Sequence, residues 1–239
     1  MILCLDAGNT RLTWALFDAD LKQQAGGALA YGELDGLELP AAELAVLANV
    51  AGPEVGARIE ARLRRLDLPL HRATSLANQC GVSNGYEQPA QLGVDRWAAL
   101  IGARGRNRGP SLVVMAGTAT TVDLLDAGGA FRGGLILPGL DLMRASLARN
   151  TAQLGPDAGE YRDLPRNTAD AIMSGCLNAQ AGAIERQFAR IAGETHALCL
   201  LGGGAAPALA PLLTMPVLRA DSLVLEGLAR IGQDALDGD

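Results

Sequence analysis

Three short stretches of the chain carry residue types suited to moving a phosphoryl group. The first, Asp6-Ala7-Gly8-Asn9-Thr10, sets an acid at the end of an apolar run and follows it with a small turn and a hydroxyl. A carboxylate there could hold magnesium, through water, while Gly8 lets the backbone approach a phosphate and Asn9 and Thr10 donate hydrogen bonds. An ordinary hairpin turn uses the same residue types, because glycine and asparagine suit positive φ. The second stretch, Gly117-Thr118-Ala119-Thr120-Thr121, repeats the pattern nearly half the chain later and is rich in hydroxyls, part of which β-propensity explains. Two such turns facing each other across a cleft would hold a chain of phosphates, which points to a two-lobed phosphotransferase. The third is Asp95-Arg96, ahead of the apolar run Trp97–Ile101. Asp95 is either a helix-capping acid paired with a cation or a general base for a substrate hydroxyl, with Arg96 gripping an anionic substrate by its fork of donors.

The elements that must position these residues alternate. Apolar patterning predicts strands near 2–7, 12–18, 44–51 and 68–73, a helix over 53–66 with Pro53 in its first turn, and a second helix from Gly93 or Val94. Further strands are expected near 111–116, 120–126, 132–137 and 197–201, with helices near 139–149, 168–191, 205–213 and 222–232. This order suits an α/β sheet flanked by helices in each of two lobes, 1–110 and 111–239, with Arg104–Pro110 as the nearest thing to a linker. Leu140, Met143 and Leu147 are expected in the core. A stripe of Ala171, Ile172, Cys176, Ala179, Ala183 and Ile184 suits either a dimer surface or an internal core.

Composition excludes several classes. The chain has 239 residues, 49% of them hydrophobic, and a net charge of −6 without basic runs, which argues against nucleic acid as the main partner. Its apolar stretches are too short to span a bilayer, and the expected location is cytoplasmic, with Cys4, Cys80, Cys176 and Cys199 as reduced thiols. Lys22 is the only lysine and no P-loop motif occurs, so phosphate must be handled without either. His71 and His196 lack hydrolase-type surroundings, which leaves acid–base work to carboxylates.

Read in order, Asp6-x-Gly8-Asn9-Thr10, Tyr86…Pro89…Leu92-Gly93-x-Asp95-Arg96-Trp97, Gly117-Thr118-Ala119-Thr120-Thr121 and Gly133-Gly134-x-Ile136-x-Pro138-Gly139 resemble the successive motifs of the type III pantothenate kinases. Asn167-Thr168-Ala169-x-Ala171-Ile172-x-Ser174-Gly175 and Gly202-Gly203-Gly204 extend the resemblance over essentially the whole chain. It implies the duplicated ribonuclease H-like, actin-like ATPase fold, two-lobed with a central inter-lobe cleft for ATP. It also implies a homodimer with the active site at its interface, and ATP- and magnesium-dependent phosphorylation of the primary hydroxyl of pantothenate, the first step of coenzyme A synthesis.

Carried over by position, the resemblance makes Asp6, Ala7, Gly8, Asn9, Thr10, Arg11, Leu12 and Thr13 the first phosphate loop, with Asp6 on magnesium. Gly117 and Thr118 become the second loop, and Gly202 and Gly203 pass the adenosine. Tyr86, Gly93, Val94, Asp95 and Arg96 line the pantothenate site, Asp95 accepts the hydroxyl proton, and Thr168 reaches a site across the dimer interface. One position departs from the pattern. Many members place an acid two residues before the second glycine, where it holds a monovalent cation such as potassium or ammonium, and this chain has Met115. A thioether is a poor ligand for a hard cation, so little potassium dependence is expected; Asp123, late in the next strand, is the candidate replacement carboxylate. Two alternatives stay open, a kinase of the same fold for another small hydroxy-substrate and a catalytically weak accessory or regulatory relative.

Overall fold

The computed structural model describes residues 1–36, 38–150 and 159–238. In chain order its elements are β1 (Ile2–Ala7), β2 (Arg11–Phe17), β3 (Gln23–Ala30), β4 (Leu44–Asn49), α1 (Pro53–Arg65), β5 (Leu70–Arg72), β6 (Asn78–Gln79), β7 (Val82–Ser83) and α2 (Val94–Arg106). They continue as β8 (Ser111–Ala116), β9 (Ala119–Leu125), β10 (Phe131–Pro138), α3 (Leu140–Asn150), α4 (Thr168–Phe188), β11 (Leu198–Gly202), α5 (Ala206–Leu209), β12 (Val217–Arg219) and α6 (Leu223–Asp237). Two compact units result. The first comprises Met1–Arg108, Gly129–Phe131 and Ser222–Asp239, and the second Gly109–Gly128 and Arg132–Asp221.

In the first unit the sheet runs β3-β2-β1-β4-β5, with β1 antiparallel to β2 and parallel to β4. Side chains alternate across β1, so Leu3, Leu5 and Ala7 join Ile59 and Leu63 of α1 in one core. Ile2 points the other way, onto Gly232 of α6. Asp6, in phase with Ile2, therefore lies on the α6 face. Helices α2 and α6 meet backbone to backbone: a Cβ on Gly102 would lie 2.2 Å from the Leu223 carbonyl, and one on Gly227 1.8 Å from that of Ala98. This crossing holds α6 in the first unit, whereas the split expected at residue 110 puts it with the second half.

The second unit repeats the plan as β10-β9-β8-β11-β12. Leu112, Val114 and Ala116 of β8 pack with Leu177, Ile184 and Phe188 of α4, which leaves Met115 on the opposite face of the sheet. The side chain of Asn167 caps α4 by accepting a 2.9 Å hydrogen bond from the Asp170 N–H.

Several expectations need correction. Strand β3, Gln-Gln-Ala-Gly-Gly-Ala-Leu-Ala, has little β-propensity and forms because it pairs with β2 along the sheet edge. The helix expected over 205–213 breaks into α5 and a 3-10 turn, Ala210–Leu212, as Pro211 withholds an N–H. Leu147 is 41% exposed rather than in the core. The proposed stripe on α4 is not one face, since Cys176 and Ile184 are buried while Ala171 and Ala179 are exposed. Among the described residues no helix is long and apolar enough to cross a membrane.

Candidate active site

The first loop grows from the β1–β2 hairpin. Gly8 N–H donates to the Arg11 carbonyl at 3.2 Å, which closes the turn and leaves Asn9, Thr10 and Arg11 exposed while Ala7 and Leu12 are buried beneath it. The Tyr31 hydroxyl donates to the carbonyl of Gly8 and lies 3.1 Å from that of Arg11, pinning both ends of the turn. Across the ladder from Asp6 stands Thr13, whose hydroxyl donates to Asp6 Oδ2 at 3.4 Å. The other oxygen, Asp6 Oδ1, is buried without a hydrogen-bond partner. Burial, reinforced by the negative charge of Asp95 and opposed by the Thr13 bond, raises the Asp6 carboxyl to about 7. A buried, unpartnered carboxylate oxygen fits magnesium, which typically takes one or two carboxylates together with waters and substrate phosphates.

Asp95 sits in the first turn of α2, behind Gly93 at the N-cap, and its Oδ1 accepts the Arg96 N–H at 2.8 Å. Asp95 is thus not the N-cap residue, which is Gly93, but an acid inside the first turn that accepts one N–H through one oxygen. A Cβ on Gly93 would lie 2.6 Å from Asp95 Oδ1, so glycine at this position keeps the carboxylate where it is. Val94 opens the helix, and Trp97, fully buried, ties it to the β6–β7 hairpin by a 3.2 Å bond from Nε1 to Gln79 Oε1. Arg96 is 5% exposed and donates to the Tyr86 hydroxyl at 2.9 Å. Its guanidinium carbon lies 5.7 Å from the Tyr86 ring centre and 5.8 Å from that of Phe131. The two rings are themselves 5.5 Å apart, so Arg96 is held by an aromatic pair.

The second unit carries a group of its own that matches the first loop in plan. Gly117 and Thr118 form the exposed β8–β9 turn, in which Gly117 N–H donates to the Ala119 carbonyl at 3.0 Å. Gly139 lies directly under this turn: its N–H donates to the Thr118 carbonyl at 2.9 Å, and a Cβ there would come within 2.2 Å of the Gly117 carbonyl. Trans peptide geometry then directs the N–H groups of Thr118 and Ala119 away from Gly139. Gly203, at φ 95, needs to be glycine twice over, for its backbone angle and because a Cβ would meet the Ala116 carbonyl at 2.5 Å. Beside it, a Cβ on Gly202 would touch Met115 Sδ at 3.1 Å. Met115 occupies in β8 the place of Asp6 in β1, and it pairs with Thr121 as Asp6 pairs with Thr13. With a thioether opposite, Thr121 Oγ1 is buried and has no hydrogen-bond partner. One orphaned hydroxyl beside a sulfur does not fit a potassium ion. Asp123 shares this sheet face but lies two cross-strand pairs deeper, opposite Val113 and 1% exposed.

Thr168 stands exposed in the first turn of α4. Sequence reasoning missed Tyr31 and Phe131. Tyr31 follows an unrecognised strand, and Phe131 rejoins the first unit from the middle of the second, so neither carries a local signal.

The type III pantothenate kinase family profile matches residues 2–190. A protein of Azoarcus sp. (strain BH72) named type III pantothenate kinase is 52% identical, covering 99% of this chain and 93% of its own length. Among solved structures, one assigned to the Baf family of transcriptional activators from Campylobacter jejuni superposes with a TM-score of 0.68 at 18% identity, covering 98% of this chain and 99% of that one. The activator of the 2-hydroxyisocaproyl-CoA dehydratase from Clostridium difficile, with bound ADPNP, gives 0.56 at 13% identity, with 99% and 96% covered.

Proposed function

The chain belongs to the type III pantothenate kinase family, and from that membership we propose that it transfers the terminal phosphoryl group of ATP to the primary hydroxyl of pantothenate, yielding 4′-phosphopantothenate and ADP. Its fold is the duplicated actin-like ATPase fold, and its activity is the first step of coenzyme A synthesis. The observation that supports the assignment of roles is the buried Asp6 Oδ1 at the end of β1, a carboxylate oxygen without a hydrogen-bond partner.

On this reading the substrate hydroxyl oxygen attacks phosphorus, the bond from phosphorus to the bridging oxygen of ADP breaks, and Asp95 Oδ2 takes the hydroxyl proton. Oδ1 stays on the Arg96 N–H and fixes the carboxylate during the transfer. The loops Asp6–Thr13 and Gly117–Thr118 bind phosphates, and Gly202 and Gly203 pass the adenosine. Asp6 would hold magnesium, which screens phosphate charge when bound. Tyr86, Gly93, Val94 and Arg96 form the pantothenate side, with Arg96 directed to its carboxylate. Arg96→Ala is expected to raise KM for pantothenate about 10–100-fold, the worth of a charge-assisted hydrogen bond, with a smaller change in kcat. Because the guanidinium is buried against the pair of rings, Tm falls as well; steady-state kinetics and thermal unfolding check both.

We assign a homodimer and a cytoplasmic location, where the free cysteines suit a reducing compartment. An apolar groove of about 670 Å³ lined by Leu137, Met143 and Cys176 and rimmed by exposed Ile136, Leu142 and Leu147 supports the dimer, as does the exposed small-residue face of α4 at Ala171, Gly175, Ala179 and Gly182. Thr168 opens that helix and would serve the partner's pantothenate site.

The test is ADP release with ATP and magnesium, with and without pantothenate, in sodium or potassium salt at equal ionic strength. Pantothenate-dependent release, equal in both salts, is expected. No turnover by folded dimer would favour the accessory reading, and strong activation by potassium would overturn the role given to Met115.

A further inference from the structure

We infer that Gln180 is a positioning residue for ATP, locking the turn at Gly117 and Thr118 from beneath through paired hydrogen bonds to Thr120 and Pro138. This rests on the assignment of that turn to the phosphates.

Gln180 lies on the inner face of α4 with none of its surface exposed, on a helix face otherwise built from Leu177, Ala181 and Ile184. A buried amide is costly unless its groups are satisfied, and here both ends are used. Oε1 accepts the Thr120 hydroxyl at 3.0 Å, and Nε2 donates to the Pro138 carbonyl at 3.1 Å, with Met143 Sδ at 3.5 Å. Both partners flank the turn. Thr120 pairs with Ala116 across the ladder and so follows the turn directly, and it too is fully buried. Pro138 precedes Gly139, whose N–H holds the Thr118 carbonyl and whose bare Cα lets the turn approach. One side chain thus fixes the strand leaving the turn and the backbone that supports it. An apolar residue of the same size would fill the space but leave the Thr120 hydroxyl and the Pro138 carbonyl unpaired, and they would relax by moving the turn. A residue that merely filled the core would not distinguish one substrate from the other.

The experiment compares Gln180→Met, Gln180→Glu, Thr120→Val and Thr118→Ala, measuring Tm, KM for ATP, KM for pantothenate and, separately from turnover, affinity for a non-hydrolysable ATP analogue by calorimetry. Gln180→Met keeps the volume, Gln180→Glu keeps the acceptor for Thr120 but loses the donor to Pro138, and Thr120→Val removes one arm. Gln180→Met should raise KM for ATP and weaken analogue binding about tenfold while KM for pantothenate stays within twofold. Gln180→Glu and Thr120→Val should fall between it and wild type, and Gln180→Met should add less in the Thr120→Val background than alone. Equal changes in both KM values, or a fall in Tm with ATP affinity intact, would overturn the inference while leaving Thr118→Ala free to weaken ATP binding. Unchanged ATP binding in Thr118→Ala would instead remove the phosphate role of the turn, and the role of Gln180 with it.

Discussion

Asp95→Asn should lower kcat about 10²–10³-fold and leave KM for pantothenate nearly unchanged. General-base catalysis contributes on the order of 10²–10⁴, and the lower half applies because phosphoryl transfer passes through a loose transition state that asks less of its base. The substitution is informative because of what it preserves. Asp95 Oδ1 accepts the Arg96 N–H at 2.8 Å, and an amide oxygen can do the same, so the start of α2 keeps its hydrogen bond. What changes is the second atom, from an oxygen that can take a proton to an N–H₂ group that cannot. Tm should therefore hold while turnover falls. Steady-state kinetics with a thermal melt decide it: kcat within threefold of wild type would remove Asp95 as base, and a large loss of Tm would make it a structural cap. Asp95→Ala is the contrasting variant, since it also abandons the Arg96 N–H and should cost stability.

The halves of the chain were legible as copies because each begins with an apolar, almost continuously buried strand that carries one polar or special residue near its end. Asp6 in β1 and Met115 in β8 occupy the same place, each two residues before a turn glycine and each opposite a threonine. Spacing alone carried that much. The consequence for Thr121, a hydroxyl left without a partner where Thr13 has one, needed the ladder register. Sequence was weakest where tertiary contact decides. Strand β3 borrows its conformation from β2, and α6 joins the first unit because Gly102 and Gly227 let two backbones touch, which no hydrophobic period reveals. Phe131, the first residue of β10, packs beside Tyr86 and Arg96 in the first unit, although the rest of that strand belongs to the second. Gln180, a lone polar residue on an apolar helix face, did carry a signal: burying an amide demands partners, and the structure supplies them on both sides of the turn.

Asp6→Asn should abolish turnover and yet stabilise the protein above neutral pH. The Asp6 carboxyl is raised from an ordinary 3.8 to about 7, chiefly by burial and then by the charge of Asp95. Between these values the folded state keeps a proton that the unfolded chain has lost, so stability falls as pH rises from about 4 to about 7 and stays lowered above that. Asparagine carries no charge at any of these pH values and escapes the penalty. The gain is on the order of 1–3 kcal/mol, taking about 1.4 kcal/mol per pKa unit and subtracting for an amide N–H left near the unpartnered Oδ1 position. For a chain of this size that is a rise in Tm of roughly 2–10 °C at pH 8, shrinking toward zero near pH 4. Activity moves oppositely, because the buried oxygen assigned to magnesium becomes part of a neutral group. Adding magnesium with a non-hydrolysable ATP analogue should then raise the Tm of wild type and much less that of the variant, since a ligand stabilises only the form that binds it. A variant less stable than wild type at pH 8, or one that retains turnover, would show that Asp6 is a structural carboxylate and that its unpartnered oxygen serves no ligand.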